Sequence, residues 1–261
     1  MWVMSTKRSR RCSSSVVRWT HAPIAALGML AMVGCGIHHV ASSEPSLPPQ
    51  TATLEELTRV LNERGHVGSY RALVTVAAEN AKGSATVRGT VTFTAPRSFV
   101  VRGLDPLGRD LFVFSAQGED MQLVLANQPT PLVGEDAVDA GLARWFGSFR
   151  IDDLLEVLAS SHGMVIDPLE TVALERGDDR YTLYVLDVSG GQARIQRKVF
   201  VERTRLFPVG EDWFDAAGDR RVHVEFGPYA EWGGVWRPTS VTASNQGGIV
   251  RIHFDEVVAV R

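Results

Sequence analysis

Hydrophobic and polar positions change rhythm several times along this chain, and each change predicts an element. Between Thr53 and Arg64 the apolar residues Leu54, Leu57, Val60 and Leu61 fall on one face at helical spacing. Thr53, with Glu56 three residues on, makes a capping box, and Gly65 and Gly68 close the helix. From Tyr70 the rhythm becomes that of strands. Tyr70 to Val76 is rich in β-formers, and between Thr86 and Phe93 the residues Val87, Val91 and Phe93 share one face while Arg88, Thr90 and Thr92 share the other. The cluster Asn80-Ala81-Lys82-Gly83 is the turn between them. Further strands are expected over 98–104, 111–115 and 121–126. Two helices follow, Glu135 to Phe146 and Ile151 to Ser160. The second places Ile151, Leu154, Leu155 and Leu158 on one stripe, with Asp152 and Asp153 in its first turn, where acids suit the helix dipole. Strands resume over 170–175, 180–188, 193–202, 205–214, 221–227, 235–243 and 249–258.

This order is not the βαβ alternation of a doubly wound sheet. It predicts an α+β, mostly β fold: an unclosed antiparallel β-barrel of about 11 strands with a lid of short helices over one opening. Residues 53–261 read as one domain. A half-closed barrel leaves an apolar interior that suits a greasy ligand.

The segment ahead of the domain has a different pattern. Residues 1–21 hold Lys7, Arg8, Arg10, Arg11 and Arg18 and no acid, and the 13 residues from Ala22 to Gly34 are apolar or small. A spanning helix needs about 20 residues, so this reads as a cleaved export signal over 1–34. Met32-Val33-Gly34-Cys35 resembles a bacterial lipobox. The resemblance implies cleavage before Cys35 and acylation of that cysteine, with several acyl chains holding the protein on a membrane. Gly36 stands where an Asp favours inner-membrane retention, which points to the outer membrane, facing the periplasm. Residues 35–52 then form a lipidated cysteine and flexible linker, rich in Ser and Pro. His38 and His39 read as linker residues, because a metal site needs three or four converging ligands.

Charge and cysteine count narrow the function. Loss of the signal leaves 22 Lys and Arg against 30 acids, a net charge of −8, which argues against nucleic-acid binding. Cys12 and Cys35 are the two cysteines, so the mature chain has no intramolecular disulfide and no Cys-based metal site. No cofactor is expected beyond the lipid on Cys35. Motifs for a nucleophile elbow, a zinc helix, a phosphate loop or a dinucleotide fold are missing from the sequence. Asp152-Asp153 is explained by a helix start and Asp178-Asp179 by a turn, and His66, His162, His223 and His253 share no spacing. The chain therefore reads as a non-enzyme. A hydrolase hidden in the cavity is the weaker option.

The run Phe99-Val100-Val101-Arg102-Gly103-Leu104-Asp105-Pro106-Leu107-Gly108-Arg109-Asp110-Leu111 resembles the LolB family, part of the LolA/LolB superfamily of outer-membrane lipoproteins and carriers. Phe149 to Leu158 resembles that family's later helix, and Trp236-Arg237-Pro238 with Ile249 to Phe254 resembles its closing strands. Spread thinly, the likeness covers about residues 55–258. It implies a LolA/LolB-like half-barrel whose cavity takes the acyl chains of lipoproteins received from a LolA-type periplasmic carrier. It also implies that Asp105, Pro106, Leu107 and Gly108 form the membrane-insertion loop. The expected partners are membrane lipid, acylated lipoproteins and that carrier, with the protein itself a monomer. Residue chemistry agrees on the turn: Pro presets φ, Asp bonds back to the backbone, and Gly relaxes the exit. Leu107 at the tip either enters lipid or a partner's groove, or folds back on the protein's own core. The chain after residue 160 is longer than in typical members, and this tail also resembles uncharacterised lipoproteins of the same fold. A lipid-binding envelope lipoprotein without insertion activity is therefore the alternative.

Overall fold

The computed structural model describes residues 47–65, 68–94, 98–160, 166–167, 170–189 and 191–260. The signal segment, Cys35, most of the linker, and His38, His39, His66 and His162 lie outside the described residues. Pro45–Arg261 is one compact unit. Its chain runs α1 (Leu54–Gly65), β1 (Tyr70–Asn80), β2 (Gly83–Thr94), β3 (Ser98–Leu104), β4 (Asp110–Gln117), β5 (Asp120–Leu125) and β6 (Gln128–Val133). Then come α2 (Glu135–Phe146), α3 (Ile151–Ser160), β7 (Thr171–Arg176), β8 (Arg180–Asp187), β9 (Arg194–Glu202), β10 (Pro208–Phe214) and β11 (Arg220–Phe226). A hairpin of β12 (Tyr229–Trp232) and β13 (Val235–Pro238) precedes β14 (Ser240–Asn245) and β15 (Gly248–Ala259).

Thirteen strands form one sheet in the order β6-β5-β4-β3-β2-β1-β15-β14-β11-β10-β9-β8-β7, and β12 and β13 pair separately. Neighbours are antiparallel throughout. The edges β6 and β7 do not pair with each other, so the barrel is open, and α2 and α3 join these two edges in the chain. The strand count exceeds the expected 11 for three local reasons. Strand β6 carries Pro129 and Pro131, which hide it from a β-propensity reading and suit an edge. The run 235–243 breaks into two strands at Pro238-Thr239. Strand β12, only four residues long beside Gly227-Pro228, is too short to show an alternation. The stretch 205–214 keeps its one strand but begins pairing only at Pro208, because 203–207 is a turn with Leu206 at φ 57°.

Helix α1 starts as its sequence requires. The Thr53 N–H donates to Glu56 Oε2 at 2.8 Å, and the Glu56 N–H donates to Thr53 Oγ1 at 3.2 Å. Its apolar stripe, Leu57 and Leu61, packs on Tyr181, Leu183, Val199 and Val201 of β8 and β9. Helix α2 places Val138 and Leu142 on Phe112, Phe114, Leu123 and Leu125 of β4 and β5. Helix α3 sits over the middle, where Leu154, Val157 and Leu158 meet β1, β11, β14 and β15. The alternation of burial along β8, β11 and β15 shows that one sheet face carries the core.

Register defines two ends. The chain reaches the domain at one of them: the Gln50 N–H bonds the Arg203 carbonyl at 2.7 Å, and the Tyr181 hydroxyl receives the Ala52 N–H and donates to the Gln50 carbonyl. This proximal end also holds the β9–β10 turn and the β12–β13 hairpin. The distal end holds the β1–β2, β3–β4, β10–β11 and β14–β15 turns, together with the α2–α3 junction. There Asn80 Nδ2 donates to the Trp145 carbonyl, and Ser148 Oγ donates to Asn245 Oδ1.

Candidate functional site: an apolar cavity and the turn beside it

Between α2–α3 and the concave face of β1–β4 and β15 lies a cavity of about 70 Å³. Its walls are hydrocarbon: Val74, Val76 and Ala78 of β1, Val87 and Val91 of β2, Phe112 and Phe114 of β4, and Leu142, Leu155 and Leu158 of the helices. Two glycines paired in register, Gly89 and Gly103, open the floor. A Cβ on Gly103 would sit 2.3 Å from the Phe112 ring, so that ring lies flat only because the position is glycine. The Phe112 ring in turn meets Trp145 of α2 at 5.4 Å between centroids, which brings the lid down on the sheet. At roughly 10–15 Å³ per water-sized group, the space admits about five such groups, a short stretch of one acyl chain.

Helix α3 has a second, charged neighbour. Arg221, the extra residue of the β10–β11 bulge, places Nη1 2.7 Å from Asp153 Oδ1 and Nη2 3.7 Å from Glu156. The first contact is an ion pair at close range without hydrogen-bond alignment. Below it Glu211 of β10 is fully buried, accepting from Trp213 Nε1 at 2.8 Å with Arg197 Nη1 at 3.9 Å. Burial pushes the Glu211 carboxyl up, against the pull of Arg197 and Trp213. Burial raises Glu156 too, with Arg197 opposing. Asp153 therefore serves the lid: it receives the Arg150 N–H at 3.2 Å and pairs with Arg221. Asp178 and Asp179 lie in the β7–β8 turn, where Gly177 and Asp178 give their carbonyls to Arg203.

The β3–β4 turn leaves two cavity-lining strands at the distal end. The Gly108 N–H bonds the Asp105 carbonyl at 2.9 Å, the Asp105 N–H bonds the Arg109 carbonyl at 2.9 Å, and Gly108 has φ 78°. This is a type I turn closed by a left-handed glycine. Asp105 Oδ1 receives the N–H groups of Leu107 and Arg109 at 2.8 and 2.9 Å, and Oδ2 holds the Arg109 guanidinium at 2.6–2.7 Å. The bond from the Arg109 backbone, then that from its side chain, holds the Asp105 carboxyl below the usual range. Pro106, Leu107 and Gly108 are exposed, and Leu107 is 78% open. Of the two orientations open to Leu107 from the sequence, it takes the outward one.

The structure also makes a pairing that residue spacing did not reveal. Asp212 and His223 are register partners on β10 and β11, with 2.6 Å between Oδ1 and Nδ1, and Glu225 stands 3.4 Å from Nε2. They project from the face opposite Val222 and Val224, away from the cavity. Reading β10 and β11 as an antiparallel hairpin about a five-residue turn was the signal that could have aligned them. Among the described residues, no three His, Cys, Asp or Glu side chains gather as metal ligands, and no helix is long and apolar enough to cross a membrane.

Among solved structures, the fold is similar to a LolA superfamily protein from Nitrosomonas europaea. The TM-score is 0.56 at 12% identity, covering 81% of this chain and 95% of that one. A domain from Vibrio parahaemolyticus, described as that of an outer membrane lipoprotein-sorting protein, is similar at TM-score 0.55 and 13% identity, over 78% of this chain and 90% of that one. A DUF1329 family protein from Desulfovibrio piger matches at TM-score 0.56 and 12% identity, over 78% and 90%. The chain has the LolA/LolB-like fold: an open antiparallel half-barrel with a helical lid. No protein-family model matches the sequence, and no curated protein matches it.

Proposed function

We propose that this protein is an envelope lipoprotein that takes acyl chains into its apolar cavity and delivers acylated lipoproteins to the outer membrane. The observation that carries this reading is Leu107: a large apolar side chain left in solvent at the tip of a fully hydrogen-bonded turn, on strands that line a hydrocarbon cavity. Cavity contacts supply affinity in proportion to buried apolar area, at roughly 25 cal/mol per Å². Leu107 enters the bilayer and marks the point of release. No bond chemistry is required of the chain.

The linker length is compatible with this role. Fourteen residues lie between Cys35 and Gln50, and such a segment reaches at most about 50 Å. The 12-residue strand β15 spans about 40 Å. A chain anchored through Cys35 and joined to the domain at its proximal end can therefore bring the distal Leu107 turn to the same membrane.

One observation favours the second reading, a lipid-binding lipoprotein of this fold that inserts nothing. A cavity of about 70 Å³ accepts only part of one chain while the lid is down. A transfer assay separates the two. A LolA-type carrier loaded with an acylated lipoprotein is mixed with the full chain in liposomes, and passenger arriving in the bilayer is measured. Transfer above a liposome-only control is the expected result. Binding of the passenger without transfer assigns the protein to the second reading, and no binding at all removes both.

A further inference from the structure

The proximal end carries a feature that acyl-chain binding does not use. The β12–β13 hairpin stands outside the large sheet and pairs Ala230 with Arg237 and Trp232 with Val235. Opposed residues share a face of an antiparallel pair, as do residues two apart along a strand. Trp232 and Arg237 therefore lie on one face of the hairpin. The other face carries Tyr229 and Trp236, which meet the Phe207 ring at 4.3 and 5.7 Å.

Arg237 is 6% exposed, and its guanidinium lies 4.3 Å from the centre of the Tyr70 ring. Its Nε is enclosed and has no hydrogen-bond partner, and the same holds for Trp232 Nε1. Tyr70 is the titratable neighbour that acts on Arg237, and no carboxylate stands beside it among the described residues. A guanidinium keeps its proton inside proteins, so this is a standing positive charge taken out of water without a counter-charge. The face of Tyr70 offsets part of that cost, but it satisfies no N–H. Side chains at diagonal cross-strand positions, about 7–8 Å apart, are within reach of a common group when they are long or aromatic. Two unmet donors, one of them charged, thus stand within reach of one ligand atom set.

We propose that Arg237 and Trp232 form a receptor for a single oxyanion, a phosphate or a carboxylate. The planar guanidinium fork matches the oxygens of such a group, the indole N–H adds a donor from the side, and Tyr70 holds the fork in its plane. The same chemistry serves a free anion or the head of an anionic amphiphile. Tyr70 does not line the apolar cavity, so the site stands or falls independently of acyl-chain transfer.

The test titrates the full chain, in a non-ionic detergent, with inorganic phosphate, with dodecyl phosphate, and with dodecanol as the uncharged control. Binding of inorganic phosphate marks a free-anion site, and binding of dodecyl phosphate alone marks a head-group site. In either case Arg237→Met weakens the anion roughly tenfold or more and Trp232→Phe weakens it several-fold, while dodecanol binds all three proteins alike. The ligand-free Arg237→Met protein melts no lower than wild type, because the change removes a desolvated charge and keeps an apolar stem. If neither anion binds, or if Arg237→Met binds it as wild type does, the proposal fails. An Arg237→Met protein that melts far lower with anion affinity unchanged shows a structural arginine and also overturns it. Should that variant not fold, Arg237→Lys keeps the charge and loses the fork, and unchanged affinity in both Arg237→Lys and Trp232→Phe overturns the site.

Discussion

The two halves of the sheet are built alike and filled differently. One half, β1–β6, runs outward from the centre, and the other, β7–β11, runs back towards it. Each has a five-residue turn at the distal end. In the β10–β11 turn the Gly218 N–H bonds the Asp215 carbonyl at 3.0 Å, the Asp215 N–H bonds the Asp219 carbonyl at 2.9 Å, and Gly218 has φ 88°. Asp215 Oδ1 receives the N–H groups of Ala217 and Asp219, both at 2.9 Å. These are the backbone-donor bonds of the β3–β4 turn, down to the register shift beside it, and only the Asp105–Arg109 side-chain pair has no counterpart. Yet the tip reads Ala216-Ala217 in one and Pro106-Leu107 in the other. The frame is thus satisfied by alanine, and Leu107 answers to something outside the turn. The interiors differ in parallel: the half with Leu107 encloses an apolar cavity, and the half with Ala217 encloses Glu211 beside Arg197.

Five substitutions break or sharpen this comparison. The largest effect belongs to Leu107→Glu. It removes about 1.5–3 kcal/mol of apolar transfer at the tip, so passenger insertion falls roughly ten- to hundredfold while the circular dichroism spectrum and thermal midpoint stay as in wild type. A change in the spectrum would mean that Leu107 serves the fold. Next come Asp105→Ala and Asp215→Ala, each of which frees two backbone N–H groups. Both lower the thermal midpoint by a few degrees and by similar amounts, and a clear inequality would show that the two frames are not equivalent.

Glu211→Gln tests the charged half. The Glu211 carboxyl is raised in the folded state, so that state holds its proton more tightly than the unfolded chain does, and the group's favourable contribution is lost as pH rises. The glutamine variant keeps an acceptor for Trp213 and melts roughly 2–4 °C higher at pH 8, with the gap closing towards pH 4. Differential scanning calorimetry at the two pH values checks this, and a gap that widens in acid would reverse the sign. Smallest is Ala217→Leu, which copies the Leu107 tip onto the other turn. It changes stability by less than about 0.5 kcal/mol, and when combined with Leu107→Glu it restores no insertion, because its turn joins strands that do not line the apolar cavity between the lid and β1–β4.

Much of the fold was legible in the chain. Helix α1 was announced by Thr53, Glu56 and the Leu57–Leu61 stripe, and α2 and α3 fall where their apolar spacing placed them. Strand β2 buries Val91 and Phe93 as its alternation required. The strands that escaped were the ones with competing signals, such as β6 with its two prolines and β12, a four-residue strand next to Gly227-Pro228. The turn at Asp105 to Gly108 was legible as a turn, since Pro and Gly restrict backbone angles locally.

By itself, then, the sequence determined what depends on near neighbours: the period of each element, its caps and its turns. Only the tertiary structure decided what depends on register and on which elements share a layer. A one-residue slip moves every side chain of a strand to the other face. The cavity walls and the Glu211 burial therefore could not be read along the chain, and the Asp212–His223 pair follows only once the β10–β11 hairpin register is fixed. The same is true of Leu107 pointing outward and of Arg237 pointing inward. Each is a matter of what stands opposite, and residues far apart in the chain supply it.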